Sequence, residues 1–164
     1  MSFNFACRKG LSCFTRCCQD VNIFLTPYDV LRMKNRLGVS SDEFLSTYTT
    51  VLVHKGSGIP LVRLNMVGEE RKCPFVTAEG CSIYPDRPWA CRMAPIDVDE
   101  AGNIVFMLDK TQCQGFDEEP EWTLESWMAD QGIDEYASIE ETFNEIISST
   151  TLKDHYVLSQ DLTE

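Results

Sequence analysis

The chain has 164 residues, of which 43% are hydrophobic and 24% are charged, and its net charge at pH 7 is −12. This length and composition are typical of one globular domain with a modest core, which excludes a largely disordered chain. No apolar run is long enough to span a bilayer, and no apolar stretch follows Arg8 and Lys9 as it would in a secretory signal. We therefore expect a cytoplasmic protein with no membrane partner.

The charge is unevenly distributed along the chain. Residues 117–164 carry 14 acidic side chains and one basic side chain, Lys153, whereas residues 1–116 carry 12 acidic and 13 basic side chains. We interpret the acidic end first as a solvated region, and as an alternative it is a docking surface for a protein partner of basic charge. An acidic surface repels the phosphate backbone, so no nucleic-acid partner is expected.

The first 49 residues predict loops followed by two helices. Residues 1–20 are rich in cysteine and predict loops and short turns. Thr26 is a good N-cap before Pro27, and Gly38 can end the helix that begins there. A second helix begins at once, because residues 40–43 have the form of a capping box.

The middle of the chain predicts strands. Residues 50–54, 60–67 and 103–108 are rich in β-branched and aliphatic side chains, and Gly56-Ser57-Gly58 separates the first two stretches as a hairpin turn would. The fold class predicted from these elements is α+β, with a small antiparallel sheet and irregular cysteine-rich loops.

The acidic end predicts helices. Pro120 can open one helix, and residues 134–149 predict another with an apolar stripe that packs on the core or, as the alternative, on a partner. We divide the chain into a cysteine-cluster domain at 1–116 and an acidic helical extension at 117–164 that packs on it. The stripe consists of Ile139, Phe143, Ile146 and Ile147.

Eight cysteines are the most informative feature of the chain. A reducing compartment favours free thiols, metal ligation or redox chemistry over disulfides. Four thiolates can complete a tetrahedral zinc site or hold an iron–sulfur cluster, so all eight are predicted metal ligands. The first group is Cys7, Cys13, Cys17 and Cys18, and the second is Cys73, Cys81, Cys91 and Cys113.

The spacing leaves open how these thiols are shared between sites. Consecutive side chains tend to diverge, so Cys17 and Cys18 can serve different metals, and interleaved sites are possible. His54 and His155 are each isolated in sequence and are not expected as ligands. An all-thiolate ligand set suits zinc or iron–sulfur and disfavours calcium and magnesium.

The second cysteine group carries a longer motif: Cys73-Pro74-Phe75, and then CSIYPDRPWACR over residues 81–92. This motif resembles the signature of the CxxCxxCC, or YkgJ-like cysteine-cluster, family of bacterial and archaeal zinc- or iron-chelating domain proteins. The segment from Cys17-Cys18 into the first helices is also similar, and the resemblance covers about residues 5–115. The family name implies C-x2-C-x2-C-C, whereas this chain has C-x5-C-x3-C-C.

The resemblance implies a chelated metal, with both zinc and iron–sulfur proposed for the family. We favour cysteine-ligated iron–sulfur with a redox or electron-transfer role. The alternative is a structural zinc-binding module for protein interaction. A related domain occurs in flagellin lysine N-methylases, so a methylase-related enzyme or accessory subunit is a further alternative, although no cofactor site for it is evident.

Three other residues of the motif are expected around the metal. Arg87 and Arg92 can donate hydrogen bonds to thiolates or orient backbone carbonyls, and Tyr84 can pack over the site and exclude water. No catalytic residue and no oligomeric state is predicted.

Overall fold

The structure is a computed structural model that describes residues 2–53 and 60–148. This part of the chain forms helices and small antiparallel sheets, which confirms the predicted α+β class. The α-helices are α1 (Pro27–Leu37), α2 (Ser41–Tyr48), α3 (Trp89–Met93), α4 (Leu124–Gln131) and α5 (Asp134–Ser148). Among the residues described, no helix is long and apolar enough to cross a membrane.

The first two helices form where their capping residues predict them. The Thr26 hydroxyl accepts the Asp29 N–H at 3.1 Å, and the Asp29 carboxylate accepts the Thr26 N–H at 2.8 Å, which completes a capping box. Gly38 ends α1 in the left-handed conformation with φ of 70°, which glycine adopts without steric cost. Ser40 caps α2 by accepting the Glu43 N–H.

The strands form four small antiparallel sheets. The largest has the order β2-β4-β3, in which Val51 lies opposite Val62 and Leu25 also pairs with Val62. The other sheets are the pairs β1-β9, β5-β6 and β7-β8. The strands are β1 (Ser2–Asn4), β2 (Phe24–Leu25), β3 (Thr49–Val53), β4 (Pro60–Leu64), β5 (Val76–Thr77), β6 (Gly80–Cys81), β7 (Ile96–Val98), β8 (Ile104–Phe106) and β9 (Glu121–Thr123).

Two predicted strands are shorter than the sequence suggests. The stretch 60–67 ends as β4 at Leu64, because the Asn65 N–H donates to the Tyr48 carbonyl and Val67 instead pairs with Lys72 across a turn. The stretch 103–108 forms a strand only as β8. Residue 54 and the predicted turn Gly56-Ser57-Gly58 lie outside the described residues.

Two hydrophobic clusters hold these elements together. The first lies between α1, α2 and the three-stranded sheet, and the second joins the chain's start to α4. Residues after 116 therefore share a core with residues before it, while the division at 116 stays a prediction. The first cluster is built on Ile23, Leu25, Met33, Phe44, Leu64, Phe75 and Ile83, and the second on Phe3, Phe5, Met93, Ile96, Trp127 and Ile133.

The predicted apolar stripe of the last helix is wrong at Ile139, which is 38% exposed. The buried positions are Ile133, just before α5, and Tyr136 in its first turn, where the Tyr136 ring packs edge-on against Tyr28. The buried side chains therefore lie at and just before the start of α5, and the side chain of Ile139 faces solvent. The side chains of Ile146 and Ile147 and all of residues 149–164, which include Lys153 and His155, lie outside the described residues.

Candidate metal centre

The eight cysteines are free thiols, and they gather in two groups that differ from their order in sequence. Cys18 lies with the later cysteines, and Cys113 lies with the earlier ones. The outer thiol group is Cys7, Cys13, Cys17 and Cys113, and the inner thiol group is Cys18, Cys73, Cys81 and Cys91.

The outer thiol group is assembled by segments from both ends of the domain. The chain after β1 is fixed by the Ala6 N–H, which donates to the Gly115 carbonyl at 3.0 Å, and this brings Cys7 beside Cys113. The Gln114 N–H donates to the Cys13 sulfur at 3.3 Å. Cys17 lies in the short 3-10 turn Arg16–Cys18.

All four thiols of the outer group line one cavity of about 150 Å³. Apolar side chains, among them Phe5, Leu11 and Leu108, form part of its wall. Burial, and after it the charges of Cys17, Cys113 and Cys13, raise the pKa of Cys7 to about 11. The cavity therefore combines four sulfur donors with partial exclusion of water.

The inner thiol group is held by short-range pairing around the first hydrophobic cluster. The Cys73 N–H donates to the Cys18 carbonyl at 2.8 Å, and Cys81 lies on β6 opposite Val76. Cys91 lies in the first turn of α3. Cys73, Cys81 and Cys91 all pack against the first cluster, so this group lies on the core.

The thiols of the inner group strongly influence one another. Burial, and after it the charges of Cys73 and Cys81, raise the pKa of Cys91 to about 12. Burial also raises the pKa values of Cys73 and Cys81, and backbone N–H groups oppose this shift. The N–H groups near the sulfurs belong to Phe75 and Val76 for Cys73 and to Ile83 for Cys81, and the Val76 N–H donates to the Cys73 carbonyl at 3.1 Å.

The adjacent pair Cys17 and Cys18 joins the two groups. The side chains of Cys17 and Cys18 interact, which lowers the pKa of Cys17 to about 7 and raises the pKa of Cys18. The charge of Cys17 also raises the pKa of Cys91 in the inner group. The two thiol groups are therefore neighbours, connected through one peptide unit.

No three side chains of His, Cys, Asp or Glu within residues 2–53 and 60–148 are close enough together to hold one metal ion as they stand. The four cysteines of the outer group line one cavity. The donor set nevertheless suits a soft metal, because it consists of thiols with N–H donors near their sulfurs.

The arginines of the motif bind backbone carbonyls, which is one of the two roles expected for them. Arg92 donates to the carbonyls of Arg87 at 2.9 Å and Gln131 at 2.7 Å, and also to that of Pro85. Arg87 donates to the Tyr84 carbonyl at 2.7 Å and to the Gln131 side chain. In the part of the chain that the structure describes, these arginines fix the loop between Cys81 and Cys91 and form no hydrogen bond to a thiol.

Tyr84 does not seal the site as expected. It is 57% exposed, and its ring packs against the Arg87 guanidinium with 3.8 Å between the guanidinium carbon and the ring centroid. The 3-10 turn Tyr84–Asp86 turns its first side chain outward, so Tyr84 covers the arginine. The contact supports the position of Arg87.

Two residues near the inner group were missed from the sequence. Gln131 accepts from both arginines, and Asp29 accepts the Trp89 N–H at the start of α3. Burial raises the pKa of Asp29, and hydrogen bonds from Thr26, Trp89 and Tyr136 oppose this shift. Asp29 gave a signal only for the first turn of a helix, and no local pattern pointed to the contact with Trp89, 60 residues later.

Comparison with protein families matches residues 6–137 to the CxxCxxCC family, described as "Putative zinc- or iron-chelating domain". The match covers most of the chain. The chain belongs to the CxxCxxCC family. None of the curated proteins and none of the solved structures gives a match.

The family assignment confirms the resemblance and supports metal binding in general. The match extends beyond residue 115, where the resemblance had been placed, because β9 and α4 complete the second hydrophobic cluster of this CxxCxxCC domain. Cys7, whose spacing departs from the family name, still lies within the outer thiol group. The ligand roles of all eight cysteines stay predictions.

Proposed function

We propose that this protein holds cysteine-ligated iron–sulfur and serves in redox or electron transfer. The observation that carries the proposal is the outer thiol group, in which four cysteines line one cavity of about 150 Å³. When bound, an iron–sulfur cluster would accept and release electrons at a potential set by its hydrogen bonds and its exposure to solvent.

The size of the cavity favours a group of several atoms over a single closed ion. A structural zinc ion binds four sulfurs at about 2.3 Å and leaves no space between them. The cavity between the cysteines of the outer group has a volume of about 150 Å³. Thiols spread around such a volume suit a polynuclear core.

The N–H groups near the sulfurs support the same proposal. The Gln114 N–H donates to the Cys13 sulfur in the outer group, and in the inner group the nearby Phe75 N–H lowers the pKa of Cys73 against the effect of burial. Such bonds stabilise thiolate over thiol and are one means by which a protein tunes an iron–sulfur potential. The cytoplasm is the compartment that we propose, because it keeps these thiols reduced until metal binds.

Anaerobic purification with a visible spectrum and analysis of iron, sulfide and zinc tests the proposal. We expect a brown protein with broad absorption near roughly 400 nm and matching amounts of iron and sulfide. A colourless protein that carries zinc alone would exclude the proposal. Cys113→Ser should lower the iron content, and Ser12→Ala, a neighbouring change outside the thiol groups, should leave it unchanged.

A structural zinc site is the second candidate, and the inner thiol group favours it. Three of its cysteines pack on the first hydrophobic cluster. A zinc ion bound there by four thiolates, with no open coordination position, would stabilise the fold. Metal analysis of Cys113→Ser and Cys91→Ser separates the cases. If Cys91→Ser loses only zinc and Cys113→Ser loses only iron, the inner thiol group binds zinc and the outer thiol group binds iron.

We also propose a basic protein partner for the acidic helix α5. Removing residues 117–164 is a poor test, because it would take β9 and Trp127 out of the second hydrophobic cluster. Glu141 and Glu145 are exposed on α5, so their replacement by lysine reverses charge with the core intact. We expect the double variant to lose a partner captured by the wild-type protein, and equal capture would exclude this surface.

A further inference from the structure

Asp29 has a fully buried carboxylate whose two oxygens bind different elements. The side chain is 0% exposed. One oxygen accepts the Thr26 N–H at 2.8 Å within the capping box of α1, and the other accepts the Trp89 N–H at 2.8 Å. The second bond connects the first turn of α1 to the first residue of α3.

Capping of α1 does not explain why this carboxylate is buried. Helix α2 also has a side-chain N-cap, Ser40, and an acidic residue in its first turn, Glu43, but Glu43 completes no capping box and its carboxylate is exposed. Burial of a carboxylate is costly unless hydrogen bonds compensate for the lost water. The position of Asp29 is therefore explained by its bond to Trp89.

Helix α3 depends on a cap from elsewhere in the chain. It has only five residues, and its N-cap residue Pro88 makes no side-chain hydrogen bond to the helix. Free N–H groups at a helix start need an acceptor. Asp29 supplies that acceptor from α1, and the turn that it holds carries Cys91, whose N–H donates to the Pro88 carbonyl at 2.9 Å.

The other side of α3 is fixed by Arg92, which donates to the Gln131 carbonyl on α4. The short helix is thus held at its start by α1 and near its end by α4. Cys91 lies between these two attachments.

We propose that Asp29 is a positioning residue for Cys91, because its cap on α3 fixes where this cysteine presents its sulfur within the inner thiol group. The role in metal binding rests on the proposed function, whereas the role in placing the thiol does not. Asp29 acts on the position of Cys91 through the backbone of α3, makes no hydrogen bond to a cysteine among the described residues, and its charge also contributes to the raised pKa of Cys91.

The test compares Asp29→Ala with Thr26→Ala in reduced, metal-free protein. Both variants lose hydrogen bonds of the α1 capping box, but only Asp29→Ala loses the bond to Trp89. Alkylation of Cys91 by iodoacetamide, followed by peptide mass spectrometry, should be roughly tenfold faster in Asp29→Ala, since a hydrogen bond to a charged group is lost. Thr26→Ala should react as the wild type does. Asp29→Asn removes the same charge near Cys91 but keeps an oxygen that can accept the Trp89 N–H, so it should react more slowly than Asp29→Ala.

An equal rate of Cys91 alkylation in Asp29→Ala and Asp29→Asn, or in Asp29→Ala and the wild type, would overturn the proposal. If Asp29→Ala does not fold, hydrogen exchange at the Trp89 amide of the wild-type protein decides the matter. Slow exchange supports the buried cap, and exchange as fast as in an exposed loop overturns it.

Metal-loaded protein gives a separate result. Release of metal from the inner group to a chelator should be faster in Asp29→Ala than in Thr26→Ala. A wild-type protein that binds no metal would remove the proposed function, and the alkylation rates would still decide the role of Asp29.

Discussion

Arg92 shows how one side chain can organise a loop that carries two cysteines. Its guanidinium donates to three carbonyls, those of Pro85, Arg87 and Gln131. An ammonium group on a single stem cannot reach all three with the same geometry. We expect Arg92→Lys to lower the free energy of unfolding by about 2–4 kcal/mol in urea denaturation, since buried carbonyls lose their donors.

Arg71→Lys is the matched control for this substitution. Arg71 is an exposed arginine that pairs with Asp20 at the surface, where such pairs contribute little. The urea midpoint of unfolding of Arg71→Lys should stay at the wild-type value. Equal stability of Arg92→Lys and Arg71→Lys would show that the buried carbonyls do not depend on the guanidinium.

Gly115 lies where two segments approach each other closely. A Cβ at this position would be 2.8 Å from the Phe5 ring and 2.9 Å from the Ala6 carbonyl oxygen. Gly115→Ala should therefore destabilise the protein by about 1–3 kcal/mol. It should also reduce metal at the outer thiol group, because Cys7 directly follows Ala6, which the new Cβ would displace. Urea denaturation with metal analysis measures both effects.

Gly38→Ala is the control for Gly115→Ala. A Cβ at Gly38 meets nothing within 4 Å, and only its φ of +70° opposes a side chain. This variant should lose about 1 kcal/mol without any change in metal content. Equal metal content in both variants would contradict the close approach at Gly115.

At the scale of elements, the parts predictable from sequence are those with local causes. The caps at Thr26 and Ser40 and the stop at Gly38 lie within a few residues of the helices that they define, so α1 and α2 were predicted correctly. The pairing of β1 with β9 was not predicted, because three-residue strands at opposite ends of the chain carry no local pattern.

The same reasoning applies to the candidate site. All eight cysteines and the arginines were evident from residue type and motif, but the partition of the thiols was not. Cys18 joins Cys73 through a backbone hydrogen bond, and Cys113 joins Cys13 and Cys17 across the domain. Such contacts depend on tertiary structure, as does the bond from Trp89 to Asp29.

Strand β1 is expected to be essential to the second hydrophobic cluster. It pairs with β9 and places Phe3 edge-on against Trp127, with ring centroids 5.9 Å apart. Deletion of residues 2–4 should shift tryptophan emission to longer wavelength, because the rings of Trp122 and Trp127 become more exposed to solvent. Ser2→Ala keeps the strand and serves as control, and unchanged emission in the deletion variant would contradict this role.

At the scale of the whole molecule, the thiol groups link stability to pH. In the metal-free fold, the pKa of Cys91 is raised from 9.0 to about 12 and that of Cys7 to about 11. The unfolded chain loses these protons from about pH 9 upward, whereas the folded chain keeps them until about pH 11 or 12. Stability from these thiols is therefore complete below pH 9 and is lost as the pH rises through that window.

Metal binding should reverse this dependence, because the ligands are thiolates and protons compete with metal for them. Urea denaturation from about pH 8 to about pH 11, under argon with reductant, should show the metal-free protein becoming less stable as the pH rises, while the loaded protein weakens only towards acid. The lowered pKa of Cys17, about 7, makes stability rise with pH between about pH 7 and 9. The fall in stability of the metal-free protein therefore begins above that range. Metal-free Cys91→Ala should show a smaller fall, and a metal-free wild type of constant stability would rule out buried neutral thiols at these positions.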